Sequence, residues 1–265
     1  MNNRILLAFL LTAFAGLSTG IGGLSAFIRG GERRGFLAGS LGFSAGVMIY
    51  ISFVELFPQA GRLLAEGCGE SAGAWITIAG FFGGMLLIGL IDFFVPSEMN
   101  PHVVSTGPEE AKLRDKLHLT RIGLLTSLAI AIHNFPEGAA TFFATLTDPR
   151  IGFSIAVAVA IHNIPEGISV AVPVYHATGS RKKALAYAFL SGLAEPIGAL
   201  AAYWLLRPYL SPAVMGVTFA AIAGIMVFVS LDQLIPNAKR YDEGHESVYG
   251  LVGGMLVMAI SLELL

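Results

Sequence analysis

Two hexapeptides carry the side chains best suited to chemistry, HNFPEG at 133–138 and HNIPEG at 162–167. In each, a histidine stands four residues before a glutamate, about 40° away on a helical wheel, and the asparagine lies about 100° from the histidine. A helix through either motif therefore presents His and Glu on one face with Asn on its flank. Where the two faces meet, His133, Asn134, Glu137, His162, Asn163 and Glu166 bring together two imidazoles, two carboxylates and two amides. That mixture of N and O donors suits Zn²⁺, Fe²⁺, Mn²⁺ or Co²⁺ better than soft Cu⁺, which favours thiolates and thioethers. Pro136 and Pro165 lack the N–H that would bond the carbonyls of Ile132 and Ile161. Freed carbonyls of this kind are tolerated beside a cavity or protein, where they can touch a hydrated ion. Gly138 and Gly167 permit close helix approach.

The elements that must position these motifs are set by composition. Of 265 residues, 55% are hydrophobic and only 13% charged, and mean hydropathy is +0.72. A soluble domain runs nearer a quarter charged, whereas lipid accepts such a surface. A spanning helix needs about 20 mostly apolar residues, and eight such stretches are predicted: 5–28, 36–57, 72–95, 119–145, 151–174, 183–206, 212–236 and 247–265. The chain reads as an all-α polytopic membrane protein, one transmembrane domain over 1–265, interrupted by a polar cytoplasmic loop at 96–118 that carries His102 and His118. The apolar N-terminus reads as a retained span rather than a signal peptide, for want of a small-residue cleavage site. A net charge of −2 gives no footprint for nucleic acid, and the single cysteine, Cys68, excludes an intramolecular disulfide.

Orientation follows from the basic residues. Twelve fall in alternate loops: Arg29, Arg33 and Arg34, then Lys112, Arg114, Lys116 and Arg121, then Arg181, Lys182 and Lys183, then Lys239 and Arg240. The opposite side holds Arg4, Arg62, Arg150 and Arg207. Both termini are therefore expected outside the cytoplasm. Internal repeats add to this. AGVMIYISFVELFPQA (45–60) matches AGIMVFVSLDQLIPNA (223–238) at seven of sixteen positions, GFFGGML (80–86) resembles GLVGGML (250–256), and GLSTGIGGLSAF (16–27) resembles GLAEPIGALAAY (192–203). Spans 1–3 thus echo spans 6–8 in order. Under the charge-based orientation, span 2 runs outward and span 7 inward, so the triplets form an inverted repeat, as in many secondary transporters. Spans 4 and 5, with their paired motifs, fill the middle of a 3+2+3 layout.

Ionisable residues inside a membrane are costly and mark functional positions. A lone membrane His or Asn is usually interhelical glue, but two ionised glutamates at matching depth cannot glue one another. The one basic residue in spans 4 and 5, Arg121, lies about four turns from Glu137. A divalent cation is the simplest counter-charge, and protonation the competing one. Glu195, in GLAEPIG of span 6, adds a carboxylate whose repeat mate is Thr19. Further candidates for the ion pathway are Met48, as a weak thioether at mid-depth, Glu55 near the outer end of span 2, Asp232 near the inner end of span 7, and Asp92 near the inner end of span 3. Packing or helix-end solvation accounts for these four nearly as well.

With HNFPEG and HNIPEG on adjacent spans and GLAE on the sixth, the whole chain resembles the ZIP (Zrt/Irt-like) family of metal transporters, in particular its bacterial zinc-transporting branch. The resemblance implies a binuclear centre. One metal takes His133, Glu137, His162 and Glu166, with Met48 in reach, and the second takes Asn134, Glu137, Asn163, Glu166 and Glu195, with the glutamates bridging. It also implies a multi-pass protein of the bacterial cytoplasmic membrane with periplasmic termini, importing zinc, and also iron, manganese or cobalt, as cargo rather than as a catalytic cofactor. A homodimer is a candidate assembly. The rival is an intramembrane metal-dependent hydrolase using metal-activated water; neither HExxH nor the Glu-x-x-His pair of di-iron bundles is present.

Overall fold

The computed structural model describes residues 2–24, 34–94, 131–132 and 134–264. These are helical almost throughout. In chain order they form α1 (Asn2–Gly23), α2 (Arg34–Ile51), a π-turn (Ser52–Leu56), α3 (Phe57–Cys68), α4 (Glu70–Phe94), α5 (134–147), α6 (Pro149–Thr178), α7 (Arg181–Gly192), α8 (Ala194–Leu206), α9 (Pro212–Val229), a second π-turn (Ser230–Leu234), α10 (Ile235–Tyr241) and α11 (Glu246–Leu264). Among the described residues, seven helical stretches are long and apolar enough to cross a bilayer, and they match seven of the eight predicted spans. The eighth, 119–145, is described only from residue 131, without 133, and is helical there. The 96–118 loop with His102 and His118 lies outside the described residues.

The joints follow from local chemistry. Asp148 caps α6, its carboxylate accepting from Arg150 N at 2.8 Å, and Pro149 opens the helix where no donor is needed. Ser180 and Ser211 cap α7 and α9 in the same way. Gly179, at φ 65°, supplies the left-handed residue that ends α6.

Two spans differ from the sequence expectation. Spans 2 and 7, predicted to end at 57 and 236, instead run on past Pro58 and Pro236 as continuous helical stretches, Arg34–Cys68 and Pro212–Tyr241. The π-turns explain why. Phe57 N–H bonds Ser52 O, and Ile235 N–H bonds Ser230 O, five residues back in each case. The hydrogen-bond register has therefore shifted before the proline arrives, so a missing donor does not end the helix. Span 6 behaves differently, breaking between α7 and α8 at Leu193, just ahead of Glu195 and Pro196.

Helices in lipid gain little from hydrophobic burial against each other, so close backbone approach by small residues holds them. α2 packs along α11, with Gly46 against the Leu251 carbonyl and Gly254 against that of Phe43. α4 packs along α9, with Gly224 against the Phe81 carbonyl and Gly84 against that of Ala221. α6 meets α1 through Gly167 on the Thr19 carbonyl and Gly22 on that of Ile164, and α5 meets α8 through Gly138 on the Glu195 carbonyl and Gly198 on that of Phe135. At every one of these positions a β-carbon would overlap the partner's backbone oxygen. Phe142, Phe143, Phe219, Met48 and Ile51 fill the interior, while Trp75, Phe82, Leu86, Trp204 and Leu256 face outward.

Candidate metal centre

α6 crosses the interior and carries both His162 and Glu166, fully buried; Glu137, also buried, faces them from α5. One ligand atom from each of the three lies within 4.8 Å of the others. Glu137 of the first motif thus stands beside His162 and Glu166 of the second, which share one face of α6. His133 lies outside the described residues.

The imidazole has a defined orientation. His162 Nδ1 stands 3.2 Å from the Ala158 carbonyl, which can only accept, so Nδ1 carries the proton. In the neutral ring Nε2 is then a lone pair. It lies 3.4 Å from both oxygens of Glu137. A lone pair facing a carboxylate is repulsive unless a proton or a metal ion sits between them, and a backbone-anchored histidine with its far nitrogen exposed to acidic groups is the usual form of a metal ligand. Glu137 Oε1 has no hydrogen-bond donor among the described residues.

Beside this trio the asparagines and Glu195 make a second group. Asn163 Nδ2 donates to the Ala15 carbonyl at 2.9 Å and, through a short bond, to Glu195 Oε1. Both amide hydrogens are thereby used, leaving Asn163 Oδ1 and Glu195 Oε2 buried without hydrogen-bond partners among the described residues. Asn134 Nδ2 points to the Ser191 carbonyl at 3.4 Å. Glu195 is fully buried in the first turn of α8. Three carboxylates, an amide oxygen in need of a partner and a lone-pair imidazole make an interior that attracts cations.

The remaining candidates divide. Met48 is buried on α2, one turn beyond Ser44, whose hydroxyl donates to Glu166 Oε1 at 3.0 Å. Glu55 lies on the first π-turn with Oε1 4.0 Å from Arg62 Nη2, outside the cluster. Asp232 is exposed on the second π-turn and also stands outside it. Asp92 falls on α4, but its side chain lies outside the described residues. Ser44 is the contact that sequence reasoning missed, since one serine in an apolar helix gives no signal of its own.

The chain is similar to known proteins over its length. Residues 96–262 match the family model described as ZIP Zinc transporter. A "Zinc transporter ZupT" of Lysinibacillus sphaericus is 58% identical over 268 residues, covering 100% of both chains. Proteins of the same description from Streptococcus mutans and Corynebacterium glutamicum are 54% and 56% identical, covering 99% and 97% of this chain and 98% of each relative. Identity of this order over the full length, together with the buried histidine and glutamates of the HNxPEG helices, places the chain in the ZIP zinc transporter family.

Proposed function

We propose that the protein takes up zinc, and with it iron, manganese or cobalt, across the cytoplasmic membrane through a binuclear site on spans 4, 5 and 6. The observation that carries this reading is the buried meeting of Glu137, Glu166 and the His162 lone pair, with ligand atoms within 4.8 Å. On this reading one ion is held by His133, Glu137, His162 and Glu166, and the second by Asn134, Asn163 and Glu195, with Glu137 and Glu166 bridging. The unpartnered Asn163 Oδ1 and Glu195 Oε2 support the second position, because both are buried acceptors that an ion would satisfy. Glu55 and Asp232 then serve as stations on the way in and out, and Met48 as a thioether beside the first ion. The metals are cargo, and family membership makes the chain a transport protein.

The proposed frame is the 3+2+3 inverted repeat. Shifting residues by 178 takes Gly46 to Gly224 and Phe43 to Ala221, while shifting by 170 takes Gly84 to Gly254 and Phe81 to Leu251. The contacts Gly46–Leu251 and Gly254–Phe43 then become Gly224–Phe81 and Gly84–Ala221, all of which occur. Both π-turns also fall at matched positions. These coincidences support a two-fold relation between spans 1–3 and 6–8. With the basic residues on one side, the termini lie outside the cytoplasm and transport runs inward. A homodimer is the proposed assembly.

Uptake of radiolabelled zinc into proteoliposomes holding the purified protein tests the reading. Zinc accumulation that depends on the protein and is competed by Mn²⁺, Co²⁺ or Fe²⁺ is expected. Protein that binds zinc but moves none would favour a metal-dependent hydrolase instead.

A further inference from the structure

We propose that Ser44 is a positioning residue for the metal centre, its hydroxyl fixing the rotation of the Glu166 carboxylate from a neighbouring helix. The inference rests on the proposed transport site and adds to it a group from α2. Many buried hydroxyls on these helices bond their own backbone one turn back, among them Thr12 to Ala8, Ser52 to Met48, Thr77 to Gly73, Thr145 to Thr141 and Ser230 to Met226. Ser18, which also reaches the Ala160 carbonyl, keeps such a bond to Ala15. This is the ordinary fate of Ser and Thr in a helix. Ser44 departs from it. Fully buried, it donates across to Glu166 Oε1 at 3.0 Å, 122 residues away in the chain.

A hydroxyl bonded to a carboxylate in a site shielded from water is charge-assisted and directional. It occupies one lone pair of Oε1 and holds the plane of the carboxylate, so the remaining lone pairs keep one orientation toward His162 and Glu137. Partners that hold ligands in this way typically change metal affinity by about 10–100-fold when removed. The position matched to Ser44 in the repeat is Ile222, so the hydroxyl is not required by the framework that the two halves share. Ser44 and Met48 lie on one stripe of α2, four residues apart.

Zinc binding to the full-length protein in nanodiscs decides the matter, read as Kd and as the zinc-induced rise in Tm. Ser44→Ala is expected to raise the zinc Kd about tenfold and shrink the zinc-induced rise, while the metal-free Tm stays near the wild-type value. Ser230→Ala, which removes an equally buried hydroxyl bonded only locally to Met226, is expected to leave the Kd unchanged. Ser44→Thr keeps the hydroxyl and is expected to restore binding; if the added methyl blocks insertion, the contrast between the two alanine variants decides alone. Wild-type affinity in Ser44→Ala, or an equal loss in Ser230→Ala, overturns the role of Ser44. Failure of the unmodified protein to bind zinc overturns the site itself, and the two failures are distinct.

Discussion

Substituting Gly138 by alanine tests how tightly the framework controls the site. Gly138 follows Glu137 directly, and its α-carbon faces α8 at Glu195, so a single contact separates two proposed ligands. A β-carbon built there would overlap the Glu195 carbonyl oxygen and lie 2.6 Å from Glu195 Cα, where ordinary contact begins at 3.4 Å. Both obstacles are backbone, which cannot rotate away, so α5 and α8 must separate by about 1 Å. Metal–ligand distances tolerate about 0.2 Å, so a displacement several times larger pulls Glu137 away from Glu195. Overpacking of this kind costs about 1–3 kcal/mol, and the gain in helix propensity from Gly to Ala returns up to about 1 kcal/mol. The expected result is correctly inserted protein, a Tm lower by a few degrees, and zinc affinity at least about tenfold weaker. Gly83→Ala is the control, because no atom lies within 4 Å of a β-carbon there; it should be neutral or slightly stabilising. Thermal melts and zinc titrations on the two variants provide the comparison. Gly138→Ala behaving as wild type, or Gly83→Ala equally damaging, would refute the argument that backbone contact sets ligand spacing.

Three further outcomes are expected. Glu137→Ala and Glu166→Ala should each abolish zinc uptake in proteoliposomes, since each carboxylate is proposed to serve both ions; wild-type uptake in either ends the binuclear proposal. With Cys68 first replaced by serine, a cysteine at Arg181 should be labelled only from the cytoplasm, and ones at Arg150 and Ser211 only from outside; the reverse pattern would undo the import direction. Elemental analysis of purified Glu195→Gln should find about one metal per chain where wild type holds two, with the histidine-containing position still filled, and equal stoichiometry would remove Glu195 from the site.

The spans and the candidate site were legible for the same reason. Lipid tolerates about 20 apolar residues in a helix and penalises charge, so length located the elements and HNFPEG and HNIPEG stood out against them. Glu137, His162 and Glu166 do converge. What the sequence left unread depends on geometry between helices or on backbone register. The apolar stretches were read as ending at 57 and 236, yet the π-turns at Ser52–Leu56 and Ser230–Leu234 carry both helices onward past Pro58 and Pro236. The shared spacing of Ser, Leu and Pro in SFVELFP and SLDQLIP was the available signal, and it reads equally well as ordinary helix. Ser44 was silent because a buried serine on an apolar helix normally bonds its own backbone; only the meeting of α2 and α6 shows that this one reaches Glu166.

On the proposed repeat, paired positions fall into two groups that obey different rules. Glycines that let backbones touch recur in both halves: Gly46 with Gly224, Gly84 with Gly254, and Gly22 with Gly198. A carbonyl pressed against an α-carbon leaves no room for a larger side chain, so a second copy of the contact needs a second glycine. The polar side chains proposed for the metal centre and its path do not recur. Thr19 stands opposite Glu195, Ser44 opposite Ile222 and Glu55 opposite Gln233. One binding centre needs one set of ligands, and a duplicate set elsewhere in the membrane would leave buried carboxylates without a counter-ion. The proposed ligands are therefore confined to α5, α6 and α8, with Ser44 reaching Glu166 from α2. The glycine contacts around them set how closely those helices approach, and hence how far apart the proposed ligands stand.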